Sequence, residues 1–318
     1  GTGGITLSAE DDVIFTAGGD ITSVSGNIVV TADSDSDDNG SGGAVTMVDG
    51  TLFDAGSGTI TLSADEDIDI GGLLTTNVGA TAVQVTSTSG SITDAGDTHV
   101  DVSAANGSLV VNADAGIGVG GALETTLAGI NLTTGSGVIQ ISESNALDID
   151  NISAGAGDVT ITASGAIDID GSLDSTSGNI LITAGNDTSI NVNNTITTTG
   201  GDIALAADDD VIFSGAGDLT SGGGNVSVTA DNDSDSNGSG GILTMVDGTV
   251  INAGAGTVAL SSDESISVGR IITTDNGATA VQITSSSGGV IDAGDTGGVD
   301  IQATAGTLAV SAATGFGS

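Results

Sequence analysis

Apolar residues two positions apart open one short unit after another along the chain: Ile5/Leu7, Ile28/Val30, Ile60/Leu62, Val83/Val85, Val159/Ile161 and Ile180/Ile182. Neighbouring units start 21 to 23 residues apart, or 32 apart where an acidic insertion intervenes. About eight residues after many of these pairs comes a second one, as at Val13/Phe15, Ile68/Ile70, Ile167/Ile169 and Val211/Phe213. A lone Ile21, Leu73, Leu173 or Leu219 then follows. Strict alternation over so few residues predicts short strands with the apolar pair inward and Thr, Ser, Asp or Asn outward. Three such strands per unit predict an all-β parallel β-helix, a solenoid of about 12–13 coils averaging about 24–25 residues each. Gly, Asn and Asp between the strands suit sharp corners. The lack of Pro spares every coil a missing ladder donor. A run of calcium-dependent β-sandwich modules fits less well, because sandwiches want longer strands and an aromatic core, whereas the only aromatics here are four Phe.

A longer repeat contains the shorter one. Asp11-Asp12-Val13-Ile14-Phe15 recurs as Asp209-Asp210-Val211-Ile212-Phe213. Thr46-Met47-Val48-Asp49-Gly50-Thr51 recurs as Thr244-Met245-Val246-Asp247-Gly248-Thr249, and Asp94-Ala95-Gly96-Asp97-Thr98 as Asp292-Ala293-Gly294-Asp295-Thr296. The offset is 198 each time, with a one-residue slip near His99. Residues 1–318 therefore read as one continuous solenoid, with 1–198 a first module of eight coils and 199–318 a partial second copy. The expectation is an excerpt of a longer chain. Phe15, Phe53, Phe213 and Phe316, with Met47 and Met245, fall at apolar positions and read as core.

Charge sharpens this picture. The 318 residues carry 42 acidic side chains against one Lys or Arg, a net charge of −41. Asp outnumbers Glu by 37 to 5 and gathers at corners that follow an apolar-x-apolar-Ser/Thr-Ala pattern. Successive corners read Asp11-Asp12, then the insertion Asp33, Asp35, Asp37, Asp38 and Asn39, then Asp65 and Asp67. The second copy reads Asp208-Asp209-Asp210, then Asp231, Asp233, Asp235 and Asn237, then Asp263. In register, these corners stack a strand spacing apart. Two unit charges about 5 Å apart repel by roughly 3 kcal/mol at an effective dielectric of 20, so such a column calls for cations from solvent. Clustered Asp, Asn and Gly form the hard-oxygen ligand set of Ca²⁺. Asp35-x-Asp37-x-Asn39-Gly40 and Asp233-x-Asp235-x-Asn237-Gly238 match the first half of an EF-hand loop. Thr46 and Thr244 stand where its closing Glu belongs, so neither is an EF-hand. A solvated acidic loop, or a halophile's hydrated surface, is the competing reading.

Much chemistry is excluded. The charge rules out nucleic-acid or anionic-membrane binding through basic patches, and no apolar run is long enough for a membrane-spanning helix. Without Cys there is neither disulfide nor thiol chemistry. Arg270 and His99 have no counterparts in the other copy and no basic companions, so both read as surface residues. The absence of Trp and Tyr removes the aromatic platforms of carbohydrate clefts. No enzyme is expected.

Stretches such as Gly58-Thr59-Ile60-Thr61-Leu62-Ser63-Ala64-Asp65-Glu66-Asp67 and Gly178-Asn179-Ile180-Leu181-Ile182-Thr183-Ala184 resemble the units of very large repetitive bacterial surface proteins of the filamentous-haemagglutinin type. That resemblance implies a secreted or cell-surface location and a stalk of stacked coils that holds some other element away from the cell. The expected role is a structural segment rigidified by several calcium ions. Its expected partners are those ions and neighbouring modules, or identical subunits stacked end to end. A surface-binding module that reads a glycan or partner through one face is the alternative.

Overall fold

The structure, a computed structural model, describes residues 1–34, 43–233, 240–294 and 298–317. It is all-β, with parallel strands stacked into a solenoid of about 13 turns of about 23 residues. Among the described residues no helix is long and apolar enough to cross a membrane. The turn is shorter than the average from the module length because that average includes the acidic insertions. The chain divides into two units, residues 1–147 with 152–157, and residues 148–151 with 158–318.

In the first unit, the strands Ile5–Ser8, Ile28–Thr31, Ile60–Ala64 and Val83–Ser87 pair in parallel, residue for residue, from Ile5 through Ile28 and Ile60 to Val83. The alternation expected from the pattern is observed: in Ile60–Ala64 every second side chain is buried. Phe15 and Phe53, from consecutive turns, meet edge to face with ring centroids 4.7 Å apart. The regular three-strand turn does not persist. Val102–Ala113 and Leu123–Thr134 are strands of 12 residues each, with a register shift between Ala104 and Ser108. Each runs on through a corner where the ladder is interrupted between Ala104 and Ser108 and then resumes, which the pair spacing alone does not show.

The second unit is more regular. Val159–Ala163, Ile180–Ala184, Ile203–Ala207, Val226–Ala230 and Val258–Ser262 stack in unbroken register. Phe213 and Met245 are fully buried. Phe316 is not core: it is 56% exposed, because its strand Gly315–Phe316 has a paired neighbour on one side only. Arg270 is half-buried; its guanidinium reaches Gln302, while its buried Nε has no hydrogen-bond partner among the described residues.

One corner carries a repeating polar lattice. Ser221, fully buried, accepts a hydrogen bond from the Gly224 amide (2.8 Å) and donates one to the Gly201 carbonyl of the preceding turn (2.9 Å). Thr198 does the same with Gly201 and with Gly178. In the first unit Ser23 bridges Gly26 and Gly3. The residue after each glycine extends the lattice: Asn179 accepts from the Asp202 amide, Asp202 from Asn225, and Asn225 from Thr257. A Ser/Thr-x-x-Gly-Asn/Asp string thus satisfies the backbone groups that a sharp corner would leave unpaired.

Candidate functional site

Among the predicted ligands, Asp35, Asp37, Asp38, Asn39, Asp235 and Asn237 lie outside the described residues. The other predicted ligands are among the described residues. Ser8, Thr31 and Ser63 are in register, so the residues that follow stack, and the Asp33 amide points to the Asp11 carbonyl. Asp33 and Asp231 hold left-handed backbone angles, φ 52° and 59°. Both copies place a glycine between two acidic residues. A Cβ on Gly43 would stand 3.0 Å from the Asp33 Cβ and 3.3 Å from that of Asp65; on Gly241 it would stand 2.9 Å from Asp231 and 3.3 Å from Asp263.

Several of these carboxylates hold backbone in place. Asp12 Oδ1 accepts from the Ala44 amide (3.0 Å), Asp67 Oδ1 from Ser91 (2.7 Å) and Asp210 Oδ1 from Ile242 (2.8 Å). Hydroxyl groups occupy others: Thr88 donates to Asp65, Ser286 to Asp263 and Ser189 to Asp209, while the Asn232 amide reaches Asp208. Asp233 is exposed. Burial, and the neighbouring Asp209 charge, push the Asp210 carboxyl above the usual range despite its amide donor.

Three acidic residues that the sequence pattern did not single out come closer together. Asp94 ends the strand Ser91–Asp94, Asp101 immediately precedes the strand Val102–Ala113, and Glu124 lies in Leu123–Thr134 on the next turn. One carboxylate oxygen from each lies within 4.8 Å of the other two, the one such group of three among the described residues. Asp94 is fixed by an Asx turn, its Oδ1 accepting from the Gly96 amide at 2.6 Å. Asp101 is 0% exposed; its Oδ2 accepts from the Glu124 amide at 2.8 Å, and its Oδ1 has no hydrogen-bond partner. Glu124 Oε2 is buried and also without one. Burial, reinforced by the charges of Asp94 and Glu124, pushes the Asp101 carboxyl up to about 8. Burial, then Asp94 and Asp97, raises Glu124.

Glu143 shows how this chain otherwise treats a buried acid. It accepts from the Thr125 hydroxyl and from the amides of Leu127 and Asn145, so both oxygens are satisfied. The carboxylates at Asp101 are not provided for in this way. The available signal was the second copy: Asp292 and Asp300 stand where Asp94 and Asp101 do, allowing for the one-residue slip. Gly294 donates to Asp292 at 2.7 Å, with φ 143° against 140° at Gly96.

The raised Asp101 value carries a pH prediction for the metal-free chain. A carboxyl whose folded pKa lies above its unfolded one favours folding fully below the unfolded value, and that contribution is lost as pH rises through the folded value. With pKa about 8 against 3.8, the loss continues through pH 7–9, where ordinary carboxylates no longer titrate. Thermal unfolding in metal-free buffer is expected to fall across that window, and Asp101→Asn to flatten the fall. Equal slopes in the two proteins would place the proton elsewhere.

The fold and these acidic clusters together define an all-β, parallel, repeat-built solenoid. No protein-family model, curated protein or solved structure matches the chain.

Proposed function

We propose that the chain is a non-catalytic, load-bearing segment of an extracellular bacterial surface or fibre protein, stiffened by calcium at its acidic corners and insertions. The observation that supports it is the corner lattice. Hydroxyl, glycine and Asn/Asp side chains tie one turn to the next at equivalent positions, as at Thr198, Gly201 and Asp202 and again at Ser221, Gly224 and Asn225. With amide bonds and side-chain bonds in the same register, a turn yields only when its whole set breaks. The acidic corners stack with almost no basic side chain to balance them, so their counter-ions come from solvent. Low calcium inside the cell would leave the chain free to cross a membrane unfolded; millimolar calcium outside would bind and stabilise the folded turns.

Single-molecule pulling on the chain by its two ends tests this reading. The expected record is stepwise unfolding at forces that rise when CaCl₂ replaces EGTA. Yielding without measurable resistance in both buffers would overturn the load-bearing role. Saturable binding to one class on a glycan array would replace it with a surface-binding one, and end-to-end fibres of purified chain with a polymerising subunit.

A further inference from the structure

We propose that Asp94, Asp101 and Glu124 form a site for one hard divalent cation, separate from the acidic corners. Two observations carry it independently. The three carboxylates converge within 4.8 Å, and the fully buried Asp101 directs into that group an oxygen with no hydrogen-bond partner. Native structures rarely leave a buried polar atom unpaired, least of all on an ionisable group. Glu143, with every oxygen satisfied, shows that this chain can bury an acid without an ion.

The donor set selects the ion class. Three carboxylates with neither nitrogen nor sulfur suit a hard cation. One oxygen from each carboxylate lies within about two calcium–oxygen distances of the others, close enough for the three to share one ion. Glu124 also lines a cleft of about 350 Å³ together with Asp97, Thr98, His99 and Val100. Asp97 adds negative charge at its mouth. A proton shared between Asp101 and Asp94 or Glu124 would satisfy one oxygen on each partner and is the competing arrangement that the test separates.

The site would act as a clip. Asp101 and Glu124 come from successive turns in register, since Val102 pairs with Thr125, while Asp94 ends the preceding strand of the same turn as Asp101. One ion therefore joins three segments exactly where the strands lengthen and the regular three-strand turn gives way. The recurrence of Asp292 and Asp300 repeats two of the three donors in the second copy.

The test is made on the full chain with CaCl₂ alone or EDTA, comparing wild type, Asp101→Asn and Glu124→Gln by thermal unfolding and titration calorimetry. Asn keeps the acceptor for the Glu124 amide, so the fold is retained. In EDTA at about pH 9, above the raised Asp101 value, Asp101→Asn is expected to melt at or above wild type, because a repelling charge is gone. In CaCl₂ it is expected to melt below wild type, with one binding event weakened at least about tenfold as ligand charge is lost. Glu124→Gln, at a half-buried position, is expected to lose the same event. Corner sites, if present, keep theirs, so failure of the corner reading and failure of this one are told apart. A melting difference that is the same in both buffers, with calcium stoichiometry unchanged in both variants, would make the cluster a proton-sharing structural group and overturn the proposal.

Discussion

Gly224→Ala is expected to destabilise the solenoid by about 2–4 kcal/mol, while Gly223→Ala next to it leaves stability unchanged or slightly raised. A Cβ on Gly224 would stand 2.0 Å from the Gly201 carbonyl oxygen and 2.4 Å from its carbon, both backbone atoms of the preceding turn. Neither can rotate away. Relief requires the corner to lift, which breaks the Ser221 bonds to Gly224 and Gly201 and loosens the Asn225 contact to Thr257. A Cβ on Gly223 would meet nothing within 4 Å, and Ala there lowers the entropy of the unfolded chain, a gain of about 0.4–1 kcal/mol where the backbone accepts it. Neither glycine holds a positive φ, so the contrast isolates close approach between turns from backbone strain. Paired thermal melts would show it. Equal losses in both variants would mean that the corner is not packed as described.

The strands were legible because a pleat of period two writes itself into sequence. Ile60, Leu62 and Ala64 alternate with Thr61 and Ser63, and the fold buries the first set. Asp33 and Asp231, equivalent in the 198-residue repeat, both take the left-handed conformation. The corner lattice was harder to see. Ser221 and Thr198 resemble the many outward hydroxyls of this chain, and only inward direction and complete burial make them structural. The long strands Val102–Ala113 and Leu123–Thr134 were missed for a related reason: an apolar residue at a corner does not say whether the ladder continues through it.

The Asp94, Asp101 and Glu124 group was hidden by distance along the chain. Its members come from a strand end, the start of the next strand and the following turn, so no local motif contains them. Acidic density pointed instead to the corners, where the longest runs of Asp occur. There the fold assigns part of that acidity to backbone support: Asp12, Asp67 and Asp210 each give one oxygen to an amide of the next turn. A cation at these corners would bind the other oxygens, which makes backbone support and metal binding compatible in a single carboxylate.

Removal of calcium carries the other large effect. An ion that binds the folded chain alone stabilises it by RT ln(1 + [Ca²⁺]/Kd), about 2.7 kcal/mol per site at one hundred times Kd. For a chain of this size that is a rise of about 4 °C for each site. With acidic corners in both copies and the three-carboxylate group, the contributions accumulate. Simple relief of repulsion by salt would behave differently, since molar NaCl screens exposed charges without regard to ion type. The decisive measurement is therefore thermal unfolding of the full chain in EGTA, in EGTA with molar NaCl, and in millimolar CaCl₂ at low ionic strength. A cation-stiffened structural solenoid predicts a large rise with CaCl₂ that NaCl does not reproduce. The same melting temperature in EGTA and CaCl₂, with stabilisation by NaCl alone, would contradict it.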